Sequence, residues 1–139
     1  LLFVENKANY FDTIRKHPSP ERVVVFHGGC YSPQRGRFFK QLCRAAGPQA
    51  QLLHWGDIDC GGFQMDSRLR REIDPRIRPW RMDAEQLRAH REQAETFSDA
   101  YAAKLERLLQ DPCLQDSRET ILYMLQNRLR LEQEALLED

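Results

Sequence analysis

Three short apolar runs, at residues 1–4, 23–26 and 52–55, constrain the fold of this chain more than any other feature. Each is continuous rather than alternating and is soon followed by a glycine or an acid, which is how strands buried on both faces of a parallel sheet read. Between them the apolar residues fall at helical spacing: Tyr10, Phe11 and Ile14 in the first connection, then Phe38, Phe39, Leu42, Cys43 and Ala46 in the second. A third helix is predicted to carry Phe63, Leu69 and Ile73, and residues 76–80, bounded by Pro75 and Pro79, read as a fourth, edge strand. The order β-α-β-α-β-α-β predicts a four-stranded parallel α/β sheet with right-handed crossovers, flanked by helices.

The rest of the chain has a different texture. Leu87, Ala94, Phe97, Tyr101, Leu105 and Leu108 recur at helical intervals, Asp111-Pro112 interrupts them, and Ile121, Leu122, Leu125, Leu129 and Leu136 resume. Two amphipathic helices are predicted here, packed on the sheet as part of the same structural domain, so that residues 1–82 form the core and residues 83–139 a helical pair. At 139 residues, one domain is the expectation. The opening residues read as a buried strand without an initiator Met, so the natural protein is expected to continue upstream. No segment has the length and apolarity of a membrane span or the layout of a signal peptide. Cys30, Cys43, Cys60 and Cys113 form no CxxC pair and no zinc-ligand spacing, and read as free thiols of a reducing compartment.

In an open parallel sheet, ligands bind beyond the carboxyl ends of the strands. Acids stand there. Glu5 follows the first strand, and Asp57 and Asp59 follow the third within Gly56-Asp57-Ile58-Asp59-Cys60-Gly61-Gly62. In an extended loop, residues two apart face the same side, so the two aspartates can converge while Ile58 turns inward. If the first and third strands are neighbours, Glu5 completes a three-carboxylate cluster. Such a cluster calls for a hard divalent cation, and all-oxygen ligands suit Mg²⁺ or Mn²⁺ rather than zinc. Gly28 and Gly29, after the second strand, serve either a tight turn or a backbone approach to phosphate. His27 and His54 read as packed, hydrogen-bonded histidines rather than ligands, with His27 the better placed for an auxiliary role.

Formal charge sums to zero but is unevenly spread. Residues 1–82 hold 14 Lys and Arg against 8 Asp and Glu, and residues 83–139 hold 7 against 13, which places any polyanion on the first part. Two runs stand out: Arg35, Arg37, Lys40 and Arg44, then Arg68, Arg70, Arg71, Arg76, Arg78 and Arg81. Both suit contacts to a phosphate backbone, with Arg35, Arg37, Lys40, Arg68 and Arg71 the candidates, while part of the second run neutralises Asp66, Glu72 and Asp74. No element suits base reading.

One acid after the first strand and a pair after the third is the reverse of what haloacid-dehalogenase phosphatases and response-regulator receivers carry, and it resembles the Toprim family. Val4-Glu5-Asn6-Lys7-Ala8-Asn9-Tyr10-Phe11 resembles the Glu-bearing motif of the Toprim subgroup related to the topoisomerase VI A subunit. His27-Gly28-Gly29-Cys30-Tyr31-Ser32-Pro33 with Arg37-Phe38-Phe39-Lys40-Gln41-Leu42 is similar to that subgroup's glycine-rich turn and Arg-Phe helix, and Gly56-Asp57-Ile58-Asp59-Cys60-Gly61-Gly62-Phe63 to its third motif. With Pro79-Trp80 and Leu131-Glu132-Gln133-Glu134, the chain resembles over nearly its whole length the C-terminal domains of the JetD family of Wadjet anti-plasmid nuclease subunits. That resemblance implies a cytoplasmic bacterial enzyme that cleaves double-stranded DNA with Mg²⁺ or Mn²⁺ on Glu5, Asp57 and Asp59. It also implies SMC-like ATPase partner subunits and a homodimer. Cys60 stands where the motif usually has proline, which implies a looser turn after Asp59. The rival readings are a non-catalytic metal-binding scaffold that binds DNA, and a topoisomerase-like transesterase attacking through a tyrosine, for which Tyr31 is the candidate nearest the acids.

Overall fold

A computed structural model describes residues 1–137. Its centre is a four-stranded parallel sheet in the order β2-β1-β3-β4, made of β1 (Leu2–Val4), β2 (Val24–Phe26), β3 (Leu53–Trp55) and the edge strand β4 (Arg78–Pro79). Pro79 is tolerated because β4 joins β3 through the N–H groups of Arg78 and Trp80, which donate to Leu52 O (2.9 Å) and His54 O (2.8 Å), leaving the proline nitrogen on the unpaired side. Val4 lies level with both Phe26 and Trp55, so three strands end in one row. The residues that follow, Glu5, His27 and Gly56, therefore emerge at a common edge.

Alternation along β1 divides the core. Phe3 faces Phe39 and Cys43 of α2 (Pro33–Ala46) and Leu69 of α3 (Cys60–Glu72), while Leu2 and Val4 face a larger cluster with Trp55, Phe63, Leu87, Leu105, Ile121 and Met124. Each crossover helix is capped by a side chain that the sequence supplies at the right place: Asn6 for α1 (Lys7–Lys16), Ser32 ahead of Pro33 for α2, and Asp59 for α3. The apolar face predicted for α1 packs only in part, with Tyr10 against the core. Phe11 and Ile14 are each 38% exposed, whereas Asn9 and Thr13 are buried, because Asn9 donates to the backbone carbonyl of Gln133 from the end of the chain. Phe38 of α2 likewise points outward.

The segment after residue 82 differs from the two long helices expected. The first divides into α4 (Ala84–Ala89), a two-residue strand β5 (Glu95–Thr96) and α5 (Asp99–Leu108), with Ala94 and Phe97 outside any helix. Ser98 accepts from Tyr101 N and starts α5 afresh, and β5 pairs antiparallel with β6 (Leu129–Arg130). The second becomes a 3-10 turn (Pro112–Ser117), α6 (Arg118–Asn127), β6 and a closing 3-10 turn (Gln133–Leu136). Arg128, left-handed at φ 55°, ends α6 and sends Leu129 into the strand. Their apolar residues pack against Leu2, Val4 and Trp55 of the sheet.

Candidate active site

Glu5 enters the loop edge directly from β1, its N–H donating to Trp55 O at 3.0 Å, so strand pairing fixes its position beside β3. Gly56 makes room for it: a Cβ there would lie 2.5 Å from Glu5 Oε2 and 3.1 Å from the His54 ring. Asp57 Oδ1 accepts from Gln133 N at 2.6 Å, and Asp59 Oδ1 accepts from Gly62 N at 2.7 Å as the cap of α3. Ile58 between them turns inward, buried, and exchanges both backbone hydrogen bonds with Leu131. Gly62 must lack a side chain because a Cβ would collide with the Asp57 carbonyl.

The acids feel one another. Burial raises the Glu5 carboxyl above its ordinary range, with the charge of Asp59 adding to the rise and His54 and the Asp57 N–H opposing it. Burial pushes Asp57 up to about 6 against the Gln133 N–H, and Asp59, Glu5 and Glu132 all raise it further. Sequence reading placed Glu5, Asp57 and Asp59 together, and the fold brings all three to one edge within reach of each other's charge. Among the described residues, however, no three His, Cys, Asp or Glu side chains already surround a common point at ligand distance. Both aspartates have one oxygen held by a backbone N–H, while Glu5 Oε2 is buried without a hydrogen-bond partner. An all-carboxylate set with a bare buried oxygen fits a hard cation in donor type and charge.

Behind the acids lies a buried polar chain. His54 Nδ1 is 3.1 Å from Asp66 Oδ1, Asp66 pairs with Arg70 at 2.7 Å, and Arg70 reaches Asp116 (2.9 Å) and Cys113 O (2.6 Å). His27 is equally buried, its ring 5.2 Å from that of His54 and its Nδ1 3.2 Å from Gly29 O. Gly28 and Gly29 both adopt positive φ, 67° and 75°, so the turn itself requires them.

What the sequence did not show is how the end of the chain holds this edge. Gln133 is the hub: its N–H supports Asp57, its Oε1 accepts from Asn6 N, and its carbonyl accepts from Asn9. The looser turn implied by Cys60 is not present either. The N–H that a proline would lack donates to the Tyr101 hydroxyl at 2.8 Å, so α5 ties down the turn after Asp59. A signal existed for the first of these in the polar residues Asn6 and Asn9 beside the acid-bearing strand end; for Tyr101 there was none, because its ring also fits an apolar stripe.

The family model described as Wadjet protein JetD, C-terminal, matches residues 1–139 of this chain. The chain belongs to the JetD C-terminal family. A curated relative, the Wadjet protein JetD of Bacillus cereus (strain Q1), is 25% identical over 137 residues, which cover 98% of this chain and 33% of that protein. The chain thus spans about a third of the length of that relative.

On this member of the JetD C-terminal family the candidate phosphate-binding residues divide. Arg37 and Lys40 line an open groove of about 540 Å³ between α2 and α3 together with Arg68 and Arg71. Arg35 instead donates to Phe26 O at 2.8 Å and lies over the Phe39 ring, and Arg68 is shared between Glu72 (3.0 Å) and the Tyr31 ring. Arg70 is buried against Asp66, and Arg76 pairs with Asp74 at 2.9 Å, as the partial neutralisation of that run predicts. Tyr31 donates its hydroxyl to Glu72 at 2.9 Å, at the end of α3 remote from Asp59, and burial together with that bond raises its pKa. All four cysteines are free. Among the described residues no helix is long and apolar enough to cross a membrane.

Proposed function

We propose that this chain is a Toprim-type endonuclease domain that hydrolyses DNA phosphodiesters with Mg²⁺ or Mn²⁺, related to the topoisomerase VI A subunit. The observation that carries the reading is the meeting of Glu5, Asp57 and Asp59 at the carboxyl edge of the sheet, where among the described residues no lysine or arginine pairs with any of them. Asp57 and Asp59 would hold the cation, and Glu5 would complete its shell or take the proton from the attacking water. The ion supplies, when bound, the positive charge that offsets the developing charge on the phosphate. The chain's own parts position these groups: Gln133 N–H orients Asp57, the first turn of α3 orients Asp59, and pairing to β3 orients Glu5. Commitment of the Tyr31 hydroxyl to Glu72 supports water rather than tyrosine as the attacking group.

Membership of the JetD C-terminal family supports action within a Wadjet defence complex against plasmids. In that setting the substrate is double-stranded DNA, the neighbours are SMC-like ATPase subunits, the active form is a homodimer, and the compartment is the bacterial cytoplasm. The test is nicking of circular DNA with Mg²⁺ or Mn²⁺. Asp57→Ala should lower cleavage at least about 100-fold, since even outer-shell partners of a metal cost 10–100-fold. Cleavage that persists in Asp57→Ala, or equal Mn²⁺ binding by wild type and Asp57→Ala/Asp59→Ala in calorimetry, would sink the proposal.

A further inference from the structure

A second basic surface draws one of its walls from the part of the chain whose net charge is negative. Between α3 and α5 runs an open groove of about 710 Å³ whose walls include Cys60, Gly61, Gln64, Arg71, Lys104 and Arg107. One end starts at Cys60 and Gly61, directly after Asp59, and the other reaches Arg71 in the last turn of α3. Eleven residues of helix separate the ends, about 16 Å at 1.5 Å per residue. A DNA strand rising 3.4 Å per nucleotide would cover about five nucleotides in that length.

The charges in this groove are available. Lys104 and Arg107 are exposed and, among the described residues, their side chains take part in no ion pair or hydrogen bond. They stand three residues apart on α5, so both face the groove. Arg71 is 60% exposed and only loosely approached by Asp111 at 3.8 Å. Among the described residues Asp111 is the one acid on the walls, and its oxygens are already taken by Ser67 Oγ (2.5 Å) and Cys113 N (2.9 Å). The Tyr101 hydroxyl holds Cys60 N, which anchors the groove's α5 wall to the turn that carries Asp59. Arg71 also lines the groove on the α2 side of α3, so the two basic surfaces meet at that residue.

We infer that the α3–α5 groove is the track for the DNA backbone flanking the scissile phosphate, with Lys104, Arg107 and Arg71 contacting phosphates as the strand leaves the acidic edge. This rests on the nuclease reading and adds to it which side of the site the strand follows, using two residues that net charge alone assigns away from DNA. Such contacts require charge but carry no sequence information, so they act equally on unrelated duplexes.

The test is the salt dependence of duplex binding by the full chain, with Lys104→Gln/Arg107→Gln compared with wild type and with Arg91→Gln, an exposed arginine outside the groove. Each lost phosphate contact lowers the slope of log K against log salt by about 0.9, so the double variant should lose about 1.8 and Arg91→Gln nothing. Mn²⁺ binding should be unchanged in the double variant. A full slope in Lys104→Gln/Arg107→Gln, with wild-type cleavage still abolished by Asp57→Ala, overturns the groove and leaves the nuclease reading standing. Absence of metal-dependent cleavage by wild type overturns the reading itself and the groove with it.

Discussion

β1, β2 and β3 are built from apolar runs, whereas residues 83–137 build their strands by meeting distant segments. In the sheet, each run is apolar enough to commit locally, and parallel pairing then follows from the helix between two runs. In the second part, Glu95 and Thr96 are exposed and become a strand only because Leu129 and Arg130 arrive opposite them, a pairing that places Arg130 on Glu95 at 2.7 Å. Local pattern therefore determines the scaffold and long-range contact determines its fittings. The acidic loop depends on both, since β3 delivers Asp57 and the last turn of the chain holds it.

If the two parts share one core, damage to either should be felt by both. Leu105→Ala in α5 and Phe39→Ala in α2 remove fully buried side chains, and such deletions cost about 2–5 kcal/mol. Each variant should lower the midpoint of a single denaturation transition, seen alike by far-ultraviolet circular dichroism and tryptophan fluorescence. Two separated transitions in Leu105→Ala would break the comparison by making the second part an independent unit.

A smaller effect belongs to the sheet edge alone. Burial, aided by the neighbouring His54 ring and Arg35 and opposed by the Gly29 carbonyl, lowers the His27 pKa from its usual 6.5 to about 3. Its folded pKa is below the unfolded value, so the unfolded chain binds the proton first. The stability contributed by neutral His27 is then complete above about pH 6.5 and is lost as the pH falls toward 3, at no more than about 1.4 kcal/mol per pH unit. His27→Gln should flatten the fall in stability between pH 6.5 and 4.5 relative to wild type. Parallel curves would mean that His27 is protonated in place without unfolding the edge.

The smallest effect sharpens the contact between the two parts. Tyr101→Phe removes the acceptor of Cys60 N–H and should cost about 0.5–1.5 kcal/mol, with faster amide exchange at Cys60 and Ile58. Cys60→Pro in that background should recover most of the loss. A proline suits the first position of α3, and Asp59 before it is already extended (φ −151°, ψ 179°). Failure of this rescue would show that Tyr101 acts through its ring rather than its hydroxyl.

These contacts also explain what could and could not be read in advance. The adjacency of β1 and β3 entered the sequence reading only as a condition, since Glu5 could join Asp57 and Asp59 only if those runs were neighbours, and they are. The split of the predicted helix at residues 90–98 was not legible, since Ala94 and Phe97 keep helical spacing while the chain between them pairs as a strand. Helical period records which residues are apolar and is blind to a turn that preserves the count. The faces of α1 misled for a related reason: Asn9 and Thr13 are buried because their hydrogen-bond partners are present, Gln133 O for Asn9 and the helix's own Asn9 O for Thr13.

The bond from Gln133 to Asp57 spans 76 positions, and the bridge from Leu131 to Ile58 closes nearly as long a loop. During synthesis at about 5–20 residues per second, several seconds separate the emergence of Asp57 from that of its support. Throughout that interval β1, β2 and β3 have been made, but the acidic loop has no clasp. A ribosome-bound or prematurely terminated chain therefore carries all three acids yet cannot hold Asp57 in place, which keeps the acidic edge unassembled until translation has passed residue 133.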